Sequence, residues 1–324
     1  MKSYLHTTVR CVVALAVAAF AQASMAQAYP NKPIKMILPL APGGGSDLAA
    51  RVVAQALADS IGQPVLVDNR VGANGIVGVD AAAKSAPDGY TILFGSNSTV
   101  ASNKFLYKAA VHDPFKEFIP LAMMGSIDSF GILVSADSPY KTLADLVNAA
   151  KAAPGQLNYG YGSSSALLCG ELFKTSTGTN ILKVPYRGTP QSMTDLAGGR
   201  IHMVCDPLGT SAGLVKAGKL RAIAVTSAQR SPMAPDVPTM NESGMAMNFQ
   251  SWGGFFAPAG TPRDVVQKLQ TELVKVQSRP ETMAKIREIG FTPRPVGPEE
   301  FAAIHRAEYE LAEKLTKQAG IVPE

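Results

Sequence analysis

The sequence predicts an α/β protein built as two doubly wound domains. Three observations carry the prediction. Short apolar runs of β type alternate with helical patterns along most of the chain, the mark of largely parallel sheets covered on both faces. That alternation breaks twice into glycine-rich extended chain, at 124–130 and at 250–258, so the chain leaves one domain, builds a second and returns. The length of 324 residues, 46% of them hydrophobic, suffices for two cores.

The first 28 residues read as a secretory signal. Lys2 and Arg10 precede or flank the apolar run CVVALAVAAF (11–20), and Ala26-Gln27-Ala28 has the small-x-small form cleaved by signal peptidase. Cleavage after Ala28 and export to a bacterial periplasm are therefore expected. The apolar run is about half of the roughly 20 residues a spanning helix needs. Removing residues 1–28 leaves 28 Lys and Arg against 25 Asp and Glu. So mild a net charge of +3, with no basic run, argues against a nucleic-acid partner.

The elements then follow in order. IKMILPL (34–40) is a strand and 47–60 a helix, whose Leu48, Val52, Val53, Ala56, Leu57 and Ile61 keep helical spacing before Gly62. PVLVDN precedes a helix at 75–84, YTILFG precedes a mixed stretch, and GILVSA precedes a helix at 142–152. LNYGY leads to 166–176, ILKVPY to 189–197, IHMVCD to 211–217, and LRAIAVTS closes the alternation. The proline-rich polar stretch 227–244 reads as a surface connection, and further helices fill 262–278 and 298–319. The expected domains are 29–127 with 252–324, and 128–251.

Parallel α/β sheets bind ligands beyond the C-terminal ends of their strands. The residues at those ends form one set: Ala41, Pro42, Gly43, Gly44, Gly45, Ser46 and Asp47; Ser96, Asn97, Ser98 and Thr99; Gly162, Ser163, Ser164 and Ser165; Arg187, Gly188 and Thr189; and Asp206. Glycines let an anion approach backbone N–H groups at a helix start, where the dipole adds about half a positive charge. Hydroxyls and the Asn97 amide supply further donors. Taken singly, such loops are also ordinary connectors and caps. Five of them at strand ends point to a carboxylate ligand. Asp206 either accepts from a ligand donor or caps the next helix.

Competing chemistries find less support. The glycine loop followed by Asp68 lacks the third glycine of a dinucleotide fingerprint, and no GK[ST] ending is present. Gly209-Thr210-Ser211-Ala212-Gly213 matches the nucleophile elbow of serine hydrolases. Only His305 follows Ser211, and its helix pattern sets it among solvated charges. His202 and Cys205 form H-x-x-C, but on a strand that spacing sends them to opposite faces, so no shared metal is expected. Cys205 reads as a core thiol; whether it pairs with Cys169 the spacing leaves open. Trp252 has two readings, a ligand-stacking ring or core packing in the return crossover; packing is the commoner role at such a position.

The segments YPNKPIKMILPLAPGGGSDLAAR, GQPVLVDNRVGANGIVG, APDGYTILFGSNST, VPYRG, DLAGGRI, KLRAIAVTSAQRS, DVPTMNESG and FAPAGTP resemble, in order, the Bug-type receptors of tripartite tricarboxylate transporters. The resemblance runs from Tyr29 to about Ile321. It implies a type II periplasmic binding protein, two α/β domains joined by crossover hinge strands, with the ligand in the cleft between them. It further implies that the loops at 41–47 and 96–99 hold a carboxylate and that 162–167 and Asp206 lie opposite. Where that family often has G-S-x-x-H-L, this chain has Ser163 for the glycine and Leu167 for the histidine, which favours a less polar ligand. The implied partner is a membrane transporter of the tripartite type, with no cofactor, no enzymatic activity and a monomeric receptor. A periplasmic hydrolase using Ser211, or a sensor for a membrane signalling partner, are the alternatives.

Overall fold

A computed structural model describes residues 29–127, 129–318 and 320–323. The expected signal segment, 1–28, lies outside the described residues. The chain begins β1 (Ile34–Leu38), α1 (Gly45–Ile61), β2 (Val65–Asn69), α2 (Ile76–Ala83) and β3 (Thr91–Ser96). A π-helical turn at Ser98–Ser102 runs into the short helices α3 (Asn103–Leu106) and α4 (Pro114–Glu117). The long strand β4 (Phe118–Ile127) then crosses into β5 (Phe130–Ser135), followed by α5 (Leu143–Ala152), β6 (Asn158–Tyr161), α6 (Ser164–Thr177) and β7 (Leu182–Pro185). Next come α7 (Thr189–Ala197), β8 (Met203–Pro207), α8 (Leu208–Lys216) and β9 (Leu220–Val225). The return brings β10 (Trp252–Pro258), α9 (Arg263–Gln277), α10 (Pro280–Glu288), β11 (Phe291–Val296) and α11 (Pro298–Gln318).

These strands form two sheets, ordered β11-β4-β10-β3-β1-β2 and β7-β6-β8-β5-β9. In each, three strands joined by helices are parallel, as the alternation predicts: β3-β1-β2 and β7-β6-β8. The crossover strands add antiparallel pairs that apolar runs alone do not reveal, β10 against β3 and β5 against β8. The two crossings lie side by side. Ile127 N–H donates to the Ser251 carbonyl at 2.7 Å, and Phe130 N–H to Thr226 Oγ1 at 3.3 Å.

Both faces of each sheet are covered. Met36 and Leu38 of β1 enter one apolar cluster while Ile37 enters another, and Ile132 and Val134 of β5 face one cluster while Leu133 faces its opposite. This is strand alternation with both sides dry. Helix α1 lies one step round from its expected face. Ala50, Val53, Ala54 and Leu57 are buried while Leu48 is 46% exposed, because the alanines let the helix sit close to the sheet.

Four further expectations are corrected or completed. The stretch 227–244 is not merely a surface connection: Met240 is buried in the second lobe's main cluster, and its N–H donates to the Val225 carbonyl at 2.8 Å. Helix α10 and strand β11 are additional elements, the latter an edge strand whose Pro293 and Pro295 mask its pattern. His305 is buried rather than solvated, bonded through Nε2 to the Val100 carbonyl at 2.9 Å and ringed by Phe115, Trp252 and Phe256. Cys169 of α6 and Cys205 of β8 are joined in a disulfide inside the second lobe. Trp252 packs against Phe301 in the return crossover. Among the described residues no helix is long and apolar enough to cross a membrane.

Candidate functional site

The glycine loop lies between β1 and α1, and Ala41, Pro42, Gly43 and Gly44 are all exposed. Gly43 has φ +80°, a conformation glycine adopts without strain. Gly44 is the N-cap of α1 and supplies no side chain, so the first N–H groups of a 17-residue helix open onto the loop. Asp47 does not point outward. Its Oδ2 accepts from Gly43 N–H and from Arg51 Nε, each at 3.0 Å, and its Oδ1 from Asn69 Nδ2 at 2.9 Å. Burial works to raise its pKa, but these bonds from Arg51, Gly43 and Asn69 outweigh it and hold the carboxyl below the usual range. Asp47 is thus a brace that shapes the loop, a correction to its place among the ligand donors.

The turn after β3 also differs from expectation. Ser96 N–H donates to Thr99 Oγ1 at 2.9 Å and Thr99 N–H to Ser96 Oγ at 3.4 Å, which locks the turn on itself. Asn97 is buried and faces the hinge: it accepts from Ser251 Oγ and donates to the Gln250 carbonyl at 3.3 Å. It pins the first lobe to the return crossover and is removed from the ligand donors. Ser98 reaches the second lobe, where its hydroxyl meets that of Ser165.

In the second lobe the serine hydroxyls are engaged as well. Ser163 caps α6 by accepting from Ala166 N–H at 3.2 Å, and Ser164 donates to Asn103 Oδ1 of the first lobe at 2.6 Å. These turns therefore present backbone more than hydroxyl to the cleft. Gly162 is pressed against the next loop, since a Cβ there would stand 2.3 Å from the Gly188 carbonyl carbon. Gly188 is the uncapped start of α7, and Thr189 Oγ1 donates to Asp206 Oδ1 at 3.2 Å. Asp206 Oδ2 accepts from the Thr210 hydroxyl, so Asp206 bonds two side chains instead of capping α8 through its backbone. Leu167 is buried in the second lobe's apolar cluster and offers the cleft no hydrogen bond.

Contacts link these loops into a ring. Gly45 lies against Ile289 and Phe291, and the Ile289 carbonyl faces Gly209 beside Thr210. Thr210 and Thr189 share Asp206, Thr189 abuts Gly162, and Ser165 meets Ser98. Thr99 packs on Gly75, which packs on Pro39 of the glycine-loop strand connection. All five predicted loops thus border one cleft, and the lobes touch across it. Reasoning from sequence missed Asn103, Thr210 and Ile289, which lie in stretches with no strand-end signature.

Other candidate chemistries do not assemble. Ser211 lies within α8, is fully buried and donates to the Leu208 carbonyl at 3.1 Å, while His305 is bonded in the first lobe. His202 Nδ1 lies 3.0 Å from Asn158 Oδ1, and Cys205 is in the disulfide. No group of three or more His, Cys, Asp or Glu able to hold a metal occurs among the described residues.

Residues 49–320 match the family model of the tripartite tricarboxylate transporter family receptor, TctC. The chain belongs to that family. Among solved structures it is similar to R. palustris Rpa4515 with adipate, at TM-score 0.84 and 34% identity over 91% of this chain and 100% of that one. It is also similar to the periplasmic binding protein BugD, at TM-score 0.81 and 30% identity over 91% and 100% of the two chains. MatC (Rpa3494) from Rhodopseudomonas palustris with bound malate follows at TM-score 0.79 and 26% identity, covering 89% and 99%. In these TctC-family relatives the two-lobed frame carries small organic acids.

Proposed function

We propose that the protein is a periplasmic receptor that closes its two domains on a small organic carboxylate and delivers it to a tripartite membrane transporter. The carrying observation is the exposed, uncapped glycine loop at the start of α1, set across the cleft from the loops at 162–165 and 188–189. An oxyanion placed there receives several backbone N–H bonds and the positive end of the helix dipole, with no bulky cation in the way. Adipate and malate in the related structures support this ligand class.

In this reading Gly43, Gly44 and Gly45 contact one carboxylate, with Ser96 to Thr99 shaping the adjoining wall. Gly162 to Ser165, Gly188, Thr189 and Asp206 close over the other end. The moving bodies are 29–127 with 252–324, and 128–251, hinged where the two crossings bond to each other. The mature receptor begins after Ala28, works as a monomer and performs no covalent step.

A thermal-shift screen of mono- and dicarboxylates of two to eight carbons tests this. A ligand at 100 times its dissociation constant is expected to add about 2.7 kcal/mol of stability. No shift with any of them refutes the reading.

A further inference from the structure

Asp206 carries more than a place on the cleft wall. It is 2% exposed at the end of β8, and its recorded partners are the hydroxyls of Thr189 and Thr210, one on each oxygen. No ion pair involves it among the described residues. The titratable groups on neighbouring elements are engaged elsewhere or turned outward. Tyr159 of β6 bonds Glu171 of α6, which also pairs with Lys174. Asp195 of α7 bonds Tyr186 and Arg200, while Arg187 and Lys216 of α8 are exposed. Tyr161 of β6 is buried, β5 carries no titratable side chain, and across the cleft Arg287 and Glu288 precede Ile289. None of these offsets the cost of burial, which pushes the Asp206 carboxyl up to about 7 against the two hydroxyl bonds.

A carboxylate has about four acceptor sites, and two hydroxyls leave capacity for a ligand donor. A second carboxylate arriving beside it cannot remain ionised along with it. Building on the carboxylate-receptor reading, we propose that Asp206 takes the far end of the ligand as a hydrogen-bond donor. The receptor therefore prefers acids whose distal group is a hydroxyl, and it binds a dicarboxylate only with one proton shared between that distal carboxyl and Asp206. When Asp206 starts out ionised and the ligand is a dianion, the proton comes from solvent, one per complex. No bond other than this hydrogen bond forms.

Calorimetric titration at pH 6 and pH 9 in buffers of differing ionisation enthalpy tests the proposal. The probes are the four- to eight-carbon dicarboxylates and, at each length, the ω-hydroxy monocarboxylate. Dicarboxylate affinity is expected to fall about tenfold per pH unit above 7, with about one proton taken up at pH 8. The hydroxy acid of equal length should change less than about threefold, and Asp206→Asn should flatten the dicarboxylate profile. Binding of hydroxy acids alone supports the same donor rule in its stricter form. A dicarboxylate bound as tightly at pH 9 as at pH 6 without proton uptake overturns it, as does a slope that survives in Asp206→Asn. If neither probe class binds at any pH, the receptor reading itself fails.

Discussion

Gly162→Ala is expected to destabilise the protein by about 2 to 3 kcal/mol and to weaken carboxylate binding at least tenfold. The added methyl carbon would stand 2.3 Å from the Gly188 carbonyl carbon and 2.4 Å from the Thr189 nitrogen. Both neighbours are backbone, so no side-chain rotation relieves the clash, and overpacking of this kind typically costs 1–3 kcal/mol. The displaced segment carries Thr189, which bonds Asp206, so the damage reaches the cleft. Gly44→Ala is the control. Its Cβ would meet only the Ala41 oxygen, at 3.8 Å, from a φ of −78° that any residue adopts. Urea denaturation of the two variants should separate them clearly; equal midpoints would contradict the close packing at Gly162.

The second large effect belongs to the disulfide. Cys169 and Cys205 are 36 residues apart in sequence and join α6 to β8. Closing a loop of that length in the unfolded chain stabilises the fold by about 4 kcal/mol on the chain-entropy account. The double variant Cys169→Ala/Cys205→Ala should lose stability of that order in chemical denaturation, with a reductant lowering the wild type similarly. The same link holds the start of α6, with Ser163 to Ser165, in register with Asp206 one residue beyond Cys205. A denaturation midpoint unmoved by loss of both cysteines would contradict the pairing.

Much of the frame was legible because burial writes a period into the chain. The alternation of apolar strands and helices marked the strands from β1 to β9, and the glycine-rich stretches marked both crossings. The loops that border the cleft were legible for the same reason, since strand ends locate them. What stayed hidden is which way a polar side chain turns. Asn97 resembles a ligand donor until Ser251 and Gln250 stand beside it, and Asp47 until Asn69 arrives from 22 positions away. His305 shows the converse error. Its helix bears many charges, yet the one face carrying Phe301, His305 and Ala312 is buried. The hydrophobic pattern of α1 was similarly skewed toward large side chains, although Ala50 and Ala54 make the close contact. Partners far apart in sequence leave no local trace, and both cysteines fall in this class.

The central claim is that a carboxylate sits on the backbone of the glycine loop. Titration calorimetry of wild type and Gly44→Leu with the same panel of carboxylates measures it most directly. Gly44 is exposed with open space around it, so the leucine leaves the fold intact and obstructs only what approaches the start of α1. One saturable site per chain in the wild type, lost at least a hundredfold in Gly44→Leu with an unchanged melting temperature, is the predicted result. Equal affinity in the two proteins would contradict it.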